Sequence, residues 1–338
     1  MHAQPETRLI IRCSASVMFS VLLIFFLFQS VHAEELKANL TPPHFLIQWG
    51  TQGSALGEFE RPIGITVDGD DFVYVSDTGN QRIQKFTAQG KFVLSWGKAG
   101  KEAGMLDRPM HLTAAHDGKI YVAEYANDRI QVFDHEGNSL AFIGASGTGK
   151  GEFDAPGGVA VDRQGRIFVA DFYNHRVQPF AENYSALAQI GKKGRIFGGN
   201  FDYPADVAIG PDDSLYVADS YNNRIQKFSP AGKFVTKWGG FLGTGIQGNS
   251  SGSFDVATAI EVDVQGRVYV ADFYNHRIQV FTGDGDFLVE FGVQGSAPGE
   301  FERPTDMTVD SQGNIYVVDF GNNRIQKFAP LTSQTKHD

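Results

Sequence analysis

Four residues at equivalent points of a repeating pattern could do ionic chemistry together. His111, Asp206 and Asp306 each stand two residues after a proline (Pro109, Pro204, Pro304), and Glu261 stands four past Ala257, which takes the proline's place. In an extended strand, residues two apart share a face. Positions two and four after the proline therefore form one row per repeat: Gly64 and Thr66, His111 and Thr113, Gly158 and Ala160, Asp206 and Ala208, Ala259 and Glu261, Asp306 and Thr308. Where such rows face a common axis, three carboxylates and one imidazole converge. That set suits a hard cation such as Ca²⁺, which binds through several oxygens. The alternative is a polar channel filled with water.

A second group is aromatic. Tyr125, Phe172, Tyr173, Tyr221, Phe273, Tyr274 and Phe320, with His175 and His276, all fall in short turns between strand-like runs. Rigid amphipathic side chains on loops are what recognition surfaces use, which points to a peptide, protein or glycan ligand. The competing role for these rings is packing against their neighbours. A third recurrence pairs Asp77 with Arg82, Asp219 with Arg224 and Asp319 with Arg324. A guanidinium so close to a carboxylate reads as a structural clip. No nucleophile–base pair emerges, since His116 and His135 fall in outlying loops.

The elements that must position these residues are legible in one motif, Asp-x-x-Asn-x-Arg-(Ile/Val)-Gln-x-Phe. It begins at Asp77, Glu124 (Glu replacing Asp), Asp171, Asp219, Asp272 and Asp319, with successive starts 47, 47, 48, 53 and 47 residues apart. A period of this size signals repeat architecture. Each motif joins two alternating runs, as in Phe72–Ser76 and Arg82–Phe86, through turn-forming Asp and Asn, so each is a β-hairpin. A further strand follows the hairpin in Lys91–Gly97, Lys233–Gly239 and Asp286–Gly292. Its counterpart at Phe45–Gly50 precedes the first hairpin instead, and none follows the sixth. The expectation is a closed, all-β, six-bladed β-propeller of four-stranded blades, with residues 45–50 pairing beside residues 324–329 to remove the exposed edge.

Glycine-rich connections link the repeats, as in Trp49-Gly50-x-x-Gly53-x-x-x-Gly57-Glu58-Phe59. They lack the following helix and Lys of a phosphate loop, and the phenylalanine is expected to plug the gap between blades. The connection Gly239–Ser253 is the longest and unlike the others.

The hairpin motif, preceded by Pro62-Ile63-Gly64-x-x-Val67-Asp68 or Pro156-Gly157-Gly158-x-x-Val161-Asp162, resembles the NHL-repeat family over all six units. The resemblance implies the propeller fold. It is unspecific for function, because members include sensor domains, RNA- or protein-binding modules and a metal-dependent lyase of peptidyl-hydroxyglycine. The lyase relatives carry zinc-binding histidines directly after the proline. Here that position holds Ile63, Met110, Gly157, Ala205, Thr258 and Thr305, so no three-His zinc set can be assembled there.

Before the propeller, Arg8 and Arg12 precede an apolar run from Val17 to Phe28, followed by Val31-His32-Ala33. This reads as a signal peptide over 1–33, with a linker at 34–44, the propeller at 45–329 and a tail at 330–338. The protein is then exported, periplasmic or secreted, and meets a membrane only if the segment stays uncleaved. Cys13, the one cysteine, lies in the leader, so the mature chain has neither disulfides nor thiolate metal sites. Formal charge is −10 overall and about −11 without the leader, which argues against nucleic acid as a partner. The functional expectation is an exported, non-enzymatic binding propeller. The alternative is a Ca²⁺-dependent lyase or lactonase working through the channel acids.

Overall fold

The computed structural model describes residues 40–333, and the segment read as a signal peptide lies outside them. Six antiparallel sheets stand around one axis in the predicted order. Blade 4 shows the plan: Pro204–Ile209 innermost, then Leu215–Asp219, Arg224–Phe228 and Phe234–Trp238 at the outside. The middle strands are buried on both faces because each blade packs against two neighbours, and this buries the polar Gln84, Gln131 and Gln226 as well.

Closure follows the expected scheme. Phe45–Trp49 pairs antiparallel with Arg324–Phe328 as the outer strand of blade 6, with Trp49 opposite Ile325. A second clasp was not anticipated: Leu40–Thr41 pairs with Thr332–Ser333, inside the stretches read as linker and tail. In blade 3 the outer strand shrinks to two isolated bridges, Val177 to Ile190 and Phe180 to Ala186. Pro179 stands between them and has no N–H to give to a ladder.

The clips form in all six repeats, with Nε of each Arg 2.6–2.8 Å from the acid. The geometry is not a two-pronged guanidinium–carboxylate pair. A single Nε–H reaches the carboxylate, while the other guanidinium nitrogens of Arg82 donate to the carbonyls of Ser54, Ala55 and Glu58 in the connection. Each clip therefore welds a hairpin to the loop entering its blade.

The plug is also real. Phe59, Phe153, Phe201, Phe254 and Phe301 are fully buried between blades, with Leu106 serving blade 2. Gly50 makes room for one of them: at φ 91°, a Cβ there would lie 2.4 Å from the Phe59 ring.

Candidate functional site

The inner strands line a central channel that includes His111, Asp206, Glu261 and Asp306, as their shared register requires. His111 Nδ1 lies 3.1 Å from Asp306 Oδ2 and 4.0 Å from Asp206 Oδ2, and all three residues are buried. The nearer contact is an ion pair lying off the hydrogen-bonding direction of the ring. Both aspartates also work between blades. Asp206 Oδ2 accepts the Ile260 N–H of blade 5 at 3.0 Å, and Asp306 Oδ2 accepts the Ile65 N–H of blade 1 at 2.8 Å. Gly158 is part of this arrangement, since a Cβ there would fall 2.0 Å from Asp206 Oδ1.

These contacts set the protonation of the channel. Burial works against an imidazolium at His111, but Asp206 and Asp306 outweigh it and raise the group to about 9. Burial, followed by the charge of Asp306, raises Asp206 to about 6 against the pull of His111. Glu261 is pushed well above the carboxylate range by burial and by Asp306 and Asp206. At neutral pH the channel thus holds a protonated histidine between two aspartates.

The ligand atoms of His111, Asp206 and Asp306 lie within 4.8 Å of one another, so they could hold one cation once the imidazole gives up its proton. Glu261, counted with them on sequence grounds, stands outside that group. The donor set is two carboxylates, each with an oxygen already on a backbone amide, and one nitrogen. That suits a divalent transition metal better than Ca²⁺, which takes oxygens alone.

A pH dependence follows. His111 binds its proton more tightly folded than unfolded. Its stabilisation is complete below about pH 6.5 and is lost as pH rises through about 9, a contribution on the order of 3 kcal/mol. Asp206 and Glu261 act in the same direction, Asp206 at lower pH. Urea unfolding from pH 6.5 to 9.5 should show falling stability, and His111→Gln should flatten that fall. An equal slope in the variant would place the titration elsewhere.

The turns that carry the aromatic residues gather at one mouth of this channel. The first residue of each turn faces the next blade's inner strand: Thr78 Oγ1 donates to the Pro109 carbonyl, and Ser220 Oγ to that of Ala257. Tyr125, Phe172, Phe273 and Phe320 hold the same position in the other four repeats. The rings form two clusters. Tyr125, Phe172, Tyr173 and Tyr221 associate across blades 2 to 4, with the Tyr125 and Tyr173 hydroxyls 2.9 Å apart. Phe273, Tyr274 and Phe320 form a smaller group. Tyr173, Tyr221 and Tyr274 are 46%, 53% and 53% exposed.

Sequence reasoning missed Tyr203, which joins the larger cluster with centroids 5.0 Å from Phe172 and 4.9 Å from Tyr221. The available signal was an aromatic residue directly before Pro204, where repeats 1, 2 and 6 carry Arg61, Arg108 and Arg303.

His175 and His276 each tie two neighbouring blades together. Their Nδ1 atoms accept the backbone N–H of Tyr203 at 3.1 Å and of Arg303 at 3.2 Å. Asn323, Gln81, Asp128 and Asn223 supply the same inter-blade bond to Arg61, Arg108, Ala155 and Val256. The position needs a side-chain acceptor, so these histidines are ties between blades. Burial and Lys193 lower the His175 group, in keeping with a neutral acceptor.

Comparison with known proteins agrees with this architecture. The NHL repeat model matches residues 59–86, 153–180 and 201–228, and a family model described as a 6-bladed beta-propeller matches 254–336. No curated protein matches the chain in sequence. Among solved structures, the chain is similar to a protein of unknown function from Bacteroides thetaiotaomicron (17% identity, TM-score 0.64, covering 86% of this chain and 75% of that one). It is also similar to a gluconolactonase from Xanthomonas campestris (15%, 0.60, 87% and 98%). A third is the virginiamycin B lyase from Staphylococcus aureus, in a structure with quinupristin (19%, 0.55, 79% and 84%). At these identities the likeness concerns the fold. The chain is a six-bladed β-propeller, and three of its repeats match the NHL repeat.

Proposed function

We propose that this chain is an exported binding propeller that takes a peptide, protein or glycan ligand on the aromatic mouth of its channel. The observation that carries the reading is the contiguous five-ring cluster of Tyr125, Phe172, Tyr173, Tyr203 and Tyr221, with half-exposed tyrosines on the turns of adjacent blades. The plugs and clips already secure the blades without these rings. Aromatic side chains with few rotatable bonds offer contact area at little entropic cost. Export is supported by Arg8 and Arg12 ahead of the apolar run Val17–Phe28 and by the Val31-His32-Ala33 that follows it.

A second reading is favoured by one observation, the imidazole set between two carboxylates within reach of a single cation. In that reading the channel is the active site of a metal-dependent lyase or lactonase, with Ca²⁺ or another divalent ion. Structural likeness to a lyase and a gluconolactonase supports it.

One experiment separates the two. A ligand is first sought for the wild-type protein by thermal shift across peptide and glycan collections, and the purified protein is assayed for stoichiometric metal. Tyr173→Ala with Tyr221→Ala should weaken that ligand by roughly 2–4 kcal/mol with little change in melting. Asp206→Asn with Asp306→Asn should leave it unaffected. Loss of binding in the Asn pair alone, together with bound metal in the wild type, would move the site into the channel.

A further inference from the structure

Two repeats depart from the 47-residue spacing, at 48 and 53 residues, and the extra residues lie in adjacent connections. The clips locate the first. Arg82 Nη1 and Nη2 donate to the consecutive carbonyls of Ser54 and Ala55, whereas Arg224 reaches those of Arg195 and Phe197 and skips Ile196. Ile196 is therefore the inserted residue between blades 3 and 4. The other insertion falls within Gly239–Ser253, between blades 4 and 5.

Both insertions present apolar side chains to solvent. Ile196 is 78% exposed and Phe197 72%, while Phe241 is 76% and Ile246 64%. Glycines flank each pair, at 194, 198 and 199 and at 240, 243, 245 and 248, so these side chains stand on narrow loop tips. Lys237 joins the two loops, its Nζ donating to the Ile196 carbonyl at 2.9 Å.

The charge around these tips is opposite to that of the chain. Lys192, Lys193, Arg195 and Lys237 surround them, and neither 191–201 nor 239–254 contains an acid. The nearest acid along the first loop, Asp202, is buried and held by Arg195 at 2.8 Å. In a chain of net charge −10, this sector is locally cationic.

We propose that the two loops form a docking site for the surface of an anionic lipid bilayer, with Ile196, Phe197, Phe241 and Ile246 entering the headgroup boundary and the exposed Lys192 and Lys193 meeting lipid phosphates. Protruding apolar tips inside a basic collar match that interface, where a few large side chains and several cations act together. The inference does not depend on the aromatic mouth holding a ligand. The clasp of Leu40–Thr41 with Thr332–Ser333 follows the end of blade 6 opposite the turns, on the other face of the ring from the two loops.

The test uses residues 34–338, which contain every strand of the closed ring and both clasps. The probes are vesicles of phosphatidylcholine alone or with about 30% phosphatidylglycerol. Sedimentation should show binding to the anionic vesicles at least about tenfold stronger than to the neutral ones, weakened by about 0.5 M salt. The triple variant Ile196→Ser, Phe197→Ser, Phe241→Ser and the pair Lys192→Glu, Lys193→Glu should each lose about tenfold or more. These side chains are exposed, so melting should not change. Cys13 lies outside the tested span, so Ile246→Cys offers a single thiol for an environment-sensitive dye, whose emission should shift to the blue on anionic vesicles. Equal binding to both vesicles, wild-type binding by the triple variant, or binding without the dye shift would overturn the proposal. Failure to bind either vesicle would do so too and would leave the patch to a protein partner.

Discussion

Removing residues 45–50 should abolish cooperative folding. The deletion takes away more than one outer strand. Trp49 packs against Phe86 of blade 1 and Tyr316 of blade 6, with centroids 5.9 and 6.2 Å away, so it seals the seam where the ring closes. Gln48 also accepts a hydrogen bond from Arg324 Nη1 at 2.8 Å. Without the segment, Arg324–Phe328 becomes an open edge able to pair with another chain. Size-exclusion chromatography should find aggregates, and thermal denaturation should lose its single transition. A monomeric protein with unchanged melting would show that the ring is held without its clasp.

Arg224→Ala should be the costliest single substitution among the clips. Arg224 is 0% exposed, as is its partner Asp219, and its guanidinium serves that carboxylate and the carbonyls of Arg195, Phe197 and Asn200. Truncation leaves a buried charge and several carbonyls without donors, a loss of about 3–5 kcal/mol. Burial already pushes the Asp219 carboxyl above its usual range against the pull of Arg224, so the orphaned acid should take up a proton. At Arg82 the side chain is 12% exposed and water can replace part of the loss, so Arg82→Ala should cost about 1–3 kcal/mol. Urea titrations of both variants give the comparison, and a smaller effect at Arg224 would show that burial is not what sets the strength of the clip.

The amino-acid sequence determined the architecture because the repeat is written into local chemistry. Alternating runs, turn-forming Asp and Asn, and six copies of one hairpin leave few folds that bury all the apolar faces. The displaced strand at Phe45–Trp49 specified closure, since an unpaired edge at each end was the only other outcome. The inward row of His111, Asp206, Glu261 and Asp306 was legible for the same reason: side chains alternate along a strand wherever the strand lies.

Tertiary structure decided what those residues do, because their partners come from other blades. The Asp206 and Asp306 carboxylates are tied to amides of blades 5 and 1, far away in the chain, while Glu261, four residues past Ala257 rather than two, stands outside the group that could share a cation. A list of turn residues does not show that His175 and His276 tie blades together. Only the approach of the next blade's backbone N–H makes them acceptors, equivalent to Asn223 and Asn323. Tyr203 belongs to a different repeat position from Phe172 and Tyr221, and their rings meet only when neighbouring blades pack side by side. Sequence spacing sets which face a side chain takes within its own blade, and the packing of one blade on the next sets what that face meets.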